Sequence, residues 1–225
     1  MKLVLLPGMD GTGELFYPLV SALPELDCEV IRLPETGGQD YASLTAFVRE
    51  RLPKEDFVLL AESFSGPIGT ALATEGLKGM KGVVFVATFL SPPSRELLFL
   101  ASRCPGAFLG HIPFASFFYK RFLVGSDASR ELIDQLQAII REVPPAIIKA
   151  RIKTMSRLVA ASDTCSMPAL YLQASADKLV LSHKISDFKY MFKNLSIRKV
   201  SGPHFILQAK PEACAAIILK FKETL

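Results

Sequence analysis

Three observations predict that this 225-residue chain is an α/β protein built on a doubly wound, mainly parallel six-stranded sheet. Short apolar segments alternate with longer helical patterns, which is typical of parallel strands joined by crossover helices. Three of these segments are apolar almost without a break, as expected for strands covered on both faces. Hydrophobic residues make up 50% of the chain and charged residues 21%, so it can bury a sizeable core and is neither disordered nor fibrous.

Six predicted strands and four predicted helices follow one another along the chain. The strands are Leu3–Leu6, Cys28–Leu33, Phe57–Leu60, Gly82–Ala87, Ala169–Gln173 and Ser196–Val200. The helices are Glu14–Leu23, Tyr41–Arg51, Gly66–Thr74 and Glu212–Thr224. Each helical segment is long enough for a right-handed crossover. If the strands lie in the order 2-1-3-4-5-6, a ligand binds where the loops after the first and third strands meet.

A helical insertion interrupts this alternation between the fourth and fifth strands. It contains two helical patterns, Ser129–Val143 and Ala146–Ala160, separated by Pro144-Pro145. Apolar residues mark one face of the first pattern at helical spacing. We therefore predict a core of residues 1–93 and 167–225 and an inserted segment of residues 94–166.

Charge, cysteine spacing and the amino-terminal segment argue against several classes of protein. The net charge is +4, but the 26 basic residues are scattered, which does not indicate a nucleic-acid-binding surface. The four cysteines are too far apart for a metal or redox motif, so we expect no metal and reduced thiols in a cytoplasmic protein. The apolar run Leu3–Leu6 is too short for a signal peptide or a membrane span. The oligomeric state stays open.

Ser63 lies in a predicted turn between an apolar strand and a helix of small residues. The run Ala61-Glu62-Ser63-Phe64-Ser65-Gly66 resembles the nucleophile elbow of the α/β-hydrolase family, normally G-x-S-x-G, in which a strained turn exposes the serine hydroxyl. Ala61 and Ser65 stand where the motif has its outer glycines, and both are small. The resemblance implies that Ser63 is a nucleophile. A helix N-cap is the alternative role for this residue.

A serine nucleophile needs a base to accept its proton, and three histidines are available: His111, His183 and His204. His204 follows the last predicted strand, at the position that the family uses for its catalytic base. His111 lies in the insertion and His183 lies early in a helix, where a surface or packing role is expected. We therefore predict that His204 is the base.

The predicted base also needs a carboxylate to fix its tautomer. Asp177 follows the fifth predicted strand, which resembles the strand, loop and aspartate of the family, and Ser63, Asp177 and His204 occur in the family's order. Asp163, just before that strand, is the reserve candidate. A loop or capping role is the alternative for Asp177.

The resemblance also implies an oxyanion hole formed by two backbone amides. They belong to Phe64, directly after the nucleophile, and to Met9, in the loop after the first strand. Gly8 lets this loop approach a substrate closely. Asp10 either orients the loop or forms hydrogen bonds within its own turn, and we favour the second role. The run Pro7–Gly13 further resembles a subgroup of esterases and acyltransferases that includes phytyl ester synthase-like proteins.

The resemblance extends from Leu3 to about Phe221 and implies an α/β-hydrolase core without the family's first two strands. The inserted segment resembles the helical lid of many members. Its aromatic residues, Phe114 and Phe118 among them, could line a pocket for an apolar acyl group. Packing on the core explains the same residues equally well, and contact with a membrane or a partner is a third possibility.

The resemblance implies a serine hydrolase that cleaves carboxylic esters of apolar acyl groups through an acyl-enzyme intermediate, without a cofactor. Its expected partner is a small-molecule ester or thioester. Acyl transfer and thioester hydrolysis are alternatives on the same three residues. A nucleotide-binding oxidoreductase is a rival class, because a glycine-rich turn follows the first strand and Glu35 follows the second. The glycines of this turn, however, are spaced G-x-x-G-x-G, whereas dinucleotide binding requires G-x-G-x-x-G. A non-catalytic interaction protein is the last alternative.

Overall fold

One parallel sheet runs through the part of the chain that the structure describes. The structure is a computed structural model, and it describes residues 1–94, 117, 119–126, 128–159 and 163–225. The strands are β1 (Lys2–Leu6), β2 (Cys28–Val30), β3 (Phe57–Glu62), β4 (Met80–Val86), β5 (Ala169–Ala174) and β6 (Leu195–Val200). They lie in the order β2-β1-β3-β4-β5-β6, and each neighbouring pair is parallel. The predicted fold class and strand order are confirmed.

Helices cover both faces of the sheet. They are α1 (Tyr17–Ser21), α2 (Tyr41–Arg49), α3 (Gly66–Thr74), α4 (Arg130–Glu142), α5 (Pro145–Ser156), α6 (Ile185–Met191), α7 (Ile206–Ala209) and α8 (Pro211–Lys222). Side chains of β1 alternate between two hydrophobic clusters, because successive residues of a strand point to opposite faces. Val4 and Leu6 join the cluster that contains α2, α3 and α6, whereas Leu3 and Leu5 join the cluster that contains α1, α7 and α8. The sheet is thus doubly wound.

The second predicted strand and the first predicted helix are clearly shorter in the structure than the sequence suggested. β2 ends at Val30 and not at Leu33, since the amide of Leu33 donates to the carbonyl of Gly11 in the loop after β1 instead of continuing the strand ladder. The predicted helix Glu14–Leu23 is a 3-10 helix, Glu14–Phe16, followed by the short α1. Pro18 explains this break, because proline has no N–H and is tolerated only in the first turn of a helix.

The described residues between β4 and β5 are mostly helical. A π-helix covers Tyr119–Val124, and α4 and α5 follow it on either side of Val143 and Pro144. The pattern predicted α5 as Ala146–Ala160, but the helix ends at Ser156. The split into a core and an inserted lid at residues 94 and 166 stays a prediction. Among the helices of the described ranges, none is both long and apolar enough for a membrane span.

Candidate active site

Ser63 lies at the turn from β3 into a 3-10 helix, Ser63–Ser65, that leads directly into α3. Its φ angle is +46°, a backbone conformation that side chains other than glycine rarely adopt. Such strain persists only where the surrounding structure enforces it. The turn is therefore a strained strand-to-helix elbow that presents a half-buried serine. The position before α3 that would cap the helix is held by Ser65, and its side chain makes no capping bond.

Ser63 is joined to His204 and Asp177 by two hydrogen bonds. Ser63 Oγ lies 3.0 Å from His204 Nε2, and His204 Nδ1 lies 2.7 Å from Asp177 Oδ2. The second carboxylate oxygen of Asp177 accepts hydrogen bonds of 2.8 Å from the amides of Leu179 and Val180. Because both carboxylate oxygens are engaged, Asp177 is fixed in place and can hold the proton on Nδ1, which leaves Nε2 free to accept the proton of Ser63.

The other sequence candidates lie elsewhere. His183 is exposed in the 3-10 helix Ser182–Lys184. Asp163 is exposed and precedes β5, at the opposite end of that strand from Asp177. His111 lies outside the described residues, as do Phe114 and Phe118. The structure thus brings Ser63, His204 and Asp177 together and leaves His183 and Asp163 apart.

The loop after β1, which carries Gly8 and Met9, lies against the elbow. A Cβ atom on Gly8 would lie 3.8 Å from Ser63 Cβ, so the backbone of this loop passes next to Ser63. The Oγ of Ser65, which is fully buried, donates a 2.5 Å hydrogen bond to the carbonyl of Pro7. The sequence suggested only that Ser65 is a small residue next to the strained turn. In the structure, Ser65 also joins the elbow to this loop by a hydrogen bond.

Asp10 forms hydrogen bonds within its own turn, as the sequence predicted. Its Oδ2 accepts from the amide of Thr12 at 2.9 Å and from the hydroxyl of Thr12 at 2.7 Å. This pattern is an Asx turn, in which an aspartate side chain stabilises the backbone two residues further on. Asp10 thus shapes the loop locally.

Thr88, two residues after β4, and Tyr171 in β5 support the elbow, and sequence analysis missed both. The hydroxyl of Thr88 donates to the carbonyl of Ser63. Tyr171 Oη donates to the carbonyl of Thr88 at 2.7 Å and accepts from its amide at 3.2 Å. A Cβ atom on Gly66 would clash with the Thr88 side chain, so a residue this small is required there. The sequence offered one sign of these contacts: Tyr171 lies in a strand predicted to be buried, and a buried tyrosine hydroxyl needs a hydrogen-bond partner.

Glu62, directly before Ser63, is a carboxyl buried at the end of β3, with 3% of its surface exposed. The pKa of Glu62 is raised to about 7, mainly because burial removes water from the carboxyl group. The charge of Asp10 also raises this pKa, whereas a hydrogen bond from Gln208 and the nearby His204 lower it. The Gln208 amide donates to Glu62 Oε1 at 3.1 Å and to the carbonyl of Leu15 at 3.3 Å. A carboxyl group that titrates near neutral pH therefore lies directly beside Ser63 in the chain, and sequence analysis did not single it out.

An apolar cluster connects the insertion to the loops around Ser63. It contains Leu123 of the π-helix, Leu15 after the β1 loop and the inward face of α4. Leu179, two residues after Asp177, and Phe205, directly after His204, pack against it. The amide of Phe205 also donates to the carbonyl of Leu123 at 2.9 Å. The helical segment between β4 and β5, which includes the π-helix, α4 and α5, is thus packed on the loops that carry Asp177 and His204.

In the part of the chain that the structure describes, no group of three or more histidine, cysteine, aspartate or glutamate side chains could hold a metal ion. The cysteines of that part, Cys28, Cys165 and Cys214, are free.

Comparisons with known proteins agree with this architecture. The model of the family Hydrolase_4, described as serine aminopeptidase S33, matches residues 35–201, well over half of the chain. The match includes Ser63 and Asp177 and ends just before His204. A search of curated proteins found no match.

Several solved structures share the fold at low sequence identity. An esterase from Exiguobacterium antarcticum is 11% identical with a TM-score of 0.84, covering 99% of this chain and 92% of that one. An enol-lactonase from Burkholderia xenovorans is 15% identical with a TM-score of 0.80, at 98% and 90% coverage. A lipase-esterase related protein from Clostridium acetobutylicum is 16% identical with a TM-score of 0.79, at 98% and 93% coverage. The chain therefore belongs to the Hydrolase_4 family and is a hydrolase of the α/β-hydrolase type.

Proposed function

We propose that this hydrolase cleaves carboxylic esters of apolar acyl groups, with Ser63, His204 and Asp177 as its catalytic triad. One observation carries the proposal: a continuous hydrogen-bonded path from Ser63 Oγ through the imidazole to the Asp177 carboxylate, on a serine held at φ +46°. This arrangement matches what nucleophilic catalysis requires, because a serine hydroxyl reacts only when an oriented base accepts its proton.

Acylation is the first half of the proposed reaction. Ser63 Oγ bonds to the ester carbonyl carbon while His204 Nε2 takes the hydroxyl proton, and Asp177 stabilises the imidazolium. The backbone amides of Met9 and Phe64 stabilise the negative oxygen of the tetrahedral intermediate. The bond to the leaving oxygen then breaks, and His204 gives its proton to the departing alcohol. The acyl group is left on Ser63.

Deacylation repeats these steps with water. His204 Nε2 takes a proton from the water as its oxygen bonds to the acyl carbon. The intermediate collapses, the bond to Ser63 Oγ breaks and His204 returns the proton to the serine. The carboxylic acid leaves and the enzyme is restored, so no cofactor is required.

Apolar packing around the triad supports an apolar acyl group. Leu15, Leu179 and Phe205 adjoin the three loops of the site and pack with the helical segment in one cluster. Pockets for small molecules are lined mainly by such side chains. We propose that residues 94–166 form a lid over this site, that Gly8 lets the backbone approach the ester, and that Phe114 and Phe118, outside the described residues, contribute to the lining.

A series of p-nitrophenyl esters from acetate to laurate tests the proposal. We expect kcat/KM to rise with acyl length, because each buried methylene adds about 0.8 kcal/mol of transfer free energy. Ser63→Ala and His204→Ala should each lower kcat by about 10⁴-fold or more. His183→Ala, which removes an exposed histidine, is the matched control and should retain full activity. Undiminished hydrolysis by Ser63→Ala would overturn the proposal.

Two further assays separate hydrolysis from related reactions on the same triad. Product analysis with water and a lipophilic alcohol in competition distinguishes hydrolysis from acyl transfer, and we expect free acid as the main product. The matching thioester measures the leaving-group preference. Predominant ester product, or a clear preference for the thioester, would replace the proposed reaction with an acyltransferase or a thioesterase.

The proposal includes a cytoplasmic location. The free thiols of Cys28, Cys165 and Cys214 support it, because thiols of proteins in oxidising compartments are usually paired. Fractionation of cells expressing the tagged protein tests this location, and recovery in a secreted or membrane fraction would contradict it.

A further inference from the structure

Arg151 in α5 is fully buried and binds the loop after β1. Its Nη1 donates to the carbonyls of Met9 at 2.8 Å and Asp10 at 3.0 Å. Its Nη2 donates to the carbonyl of Pro34 at 3.0 Å, and its Nε donates to Gln39 Oε1 at 2.9 Å. A planar guanidinium can bind several oxygens in fixed directions, which a lysine ammonium cannot. All four acceptors are neutral oxygens, so the group is satisfied by the backbone and one amide.

The loop is shaped around this guanidinium. A Cβ atom on Gly11 would collide with the end of the Arg151 side chain, and Gly11 has a φ of +76° that favours glycine. Burial lowers the pKa of Arg151 to about 10, while the carboxylates of Asp10 and Glu35 raise it. The side chain is therefore charged at neutral pH, and it can polarise the carbonyls that it binds.

Arg151 binds the peptide directly after the one that carries the Met9 amide, through the Met9 carbonyl. The carbonyl of Gly8 accepts a 3.1 Å hydrogen bond from the amide of Gly11, inside the turn. Since N–H and C=O point in opposite directions across a trans peptide, the Met9 amide of the same peptide points out of the turn. Ser65 holds this segment on one side through Pro7, and Arg151 holds it on the other through Met9.

The second proposed donor is also close to this group. The guanidinium carbon of Arg151 lies 5.9 Å from the centre of the Phe64 ring, within the range of a cation–π contact. Phe64 follows Ser63 and is fully buried. One side chain of the helical segment thus contacts both residues whose amides are proposed to bind the oxyanion.

We propose that Arg151 is a positioning residue that holds the Met9 amide in the oxyanion hole and couples the hole to helix α5. The inference rests on the proposed function, because it concerns the oxyanion of the same reaction. Binding of the substrate in its ground state does not need the oxyanion donors in place, whereas the tetrahedral intermediate does. Loss of Arg151 should therefore lower kcat and leave KM nearly unchanged.

Three variants test this positioning role with p-nitrophenyl esters. Arg151→Lys keeps the charge but loses the guanidinium fork, and we expect kcat to fall by about 10²-fold, close to the loss of one oxyanion donor, with KM within about twofold. Arg151→Ala should regain part of its kcat when guanidinium ion is added at concentrations too low to unfold the protein. Lys153→Ala, an exposed cation on the same helix, should behave as wild type.

A purely structural role predicts a different result. In that case Arg151→Lys lowers the melting temperature while kcat per folded active site, titrated by burst kinetics, stays unchanged, and the proposal is overturned. If the substitutions at Arg151 prevent folding, Gln39→Met removes the Nε acceptor without altering the β1 loop. Gln39→Met should then lower kcat without raising KM, and an unchanged kcat would count against the proposal.

Failure of the proposed function can be recognised separately. If the wild type does not hydrolyse any ester in a Ser63-dependent way, the proposed reaction is wrong, yet the positioning of the loop can still be measured. The amide resonances of Met9 and Phe64 should shift in Arg151→Lys and not in Lys153→Ala. Unchanged resonances in both variants would overturn the inference itself.

Discussion

Replacing Glu62 with glutamine removes a titrating carboxyl that is buried directly before Ser63. The substitution keeps the size of the side chain and an oxygen that can accept from the Gln208 amide, which now lies 3.1 Å away. The substitution removes the ability to ionise and places an NH2 group where the second carboxyl oxygen was; the NH2 group does not titrate, so it adds no pH dependence. The difference between the two proteins therefore isolates the free energy of charging Glu62 inside the protein.

The direction and size of the effect follow from the pKa of Glu62. Burial raises this pKa from the ordinary value of 4.5 to about 7, so between these pH values the folded protein holds a proton that the unfolded chain has released. The stability of the wild type should therefore fall as pH rises through this window. One pKa unit corresponds to about 1.4 kcal/mol, which gives a total near 3 kcal/mol. Below the window and above it, Glu62 adds no further pH dependence.

Urea unfolding at intervals from pH 4 to 8 measures this effect. The free energy of unfolding of Glu62→Gln minus that of the wild type should increase by about 3 kcal/mol across the window. Glu25→Gln, which alters an exposed glutamate, is the matched control for the substitution itself. A constant difference between Glu62→Gln and wild type would refute the reasoning, because it would mean that Glu62 ionises as easily in the folded protein as in the unfolded chain.

Two other substitutions probe the contacts of the site. Asp177→Asn should lower kcat by about 10⁴-fold, because an amide no longer selects the required tautomer of His204. Asp163→Asn is the control and should leave ester hydrolysis unchanged. Equal activity of the two variants would contradict the role proposed for Asp177. Thr88→Val should lower the free energy of unfolding by about 1 kcal/mol in urea titrations, since it deletes the hydroxyl that donates to the Ser63 carbonyl. Thr88→Ser keeps that hydroxyl and should lose clearly less, so an equal loss would show that the hydrogen bond is not the cause.

The sequence was sufficient to predict the sheet and its order, because apolar strands alternating with crossover helices leave few arrangements of a parallel sheet. It also predicted that Ser63, Asp177 and His204 lie close together, because they follow β3, β5 and β6 and so meet at one edge. Local patterns failed where contacts outside the segment decide. The amide of Leu33, for example, donates to the Gly11 carbonyl instead of continuing β2. The helix break at Pro18 is a different case: the proline was visible in the sequence, but the apolar spacing around it favoured one continuous helix.

The supporting contacts of the site were not predictable from the sequence. Arg151 and the Met9 carbonyl that it binds are 142 positions apart, and Thr88 and Tyr171 are 83 apart. No short motif encodes a hydrogen bond between segments so distant, since it exists only after the chain has folded. A basic residue in an amphipathic helical pattern usually lies in solvent, so Arg151 gave no sign that it would be buried.

The most direct test of the central claim is labelling with a fluorophosphonate, followed by mass spectrometry of the modified peptide. This probe reacts with a serine only when the hydroxyl is activated by its base and is accessible. We predict modification at Ser63 that is lost in His204→Ala and retained in His183→Ala. A folded wild-type sample that stays unmodified, or is modified equally in His204→Ala, would contradict the proposal that Ser63, His204 and Asp177 act as a catalytic triad.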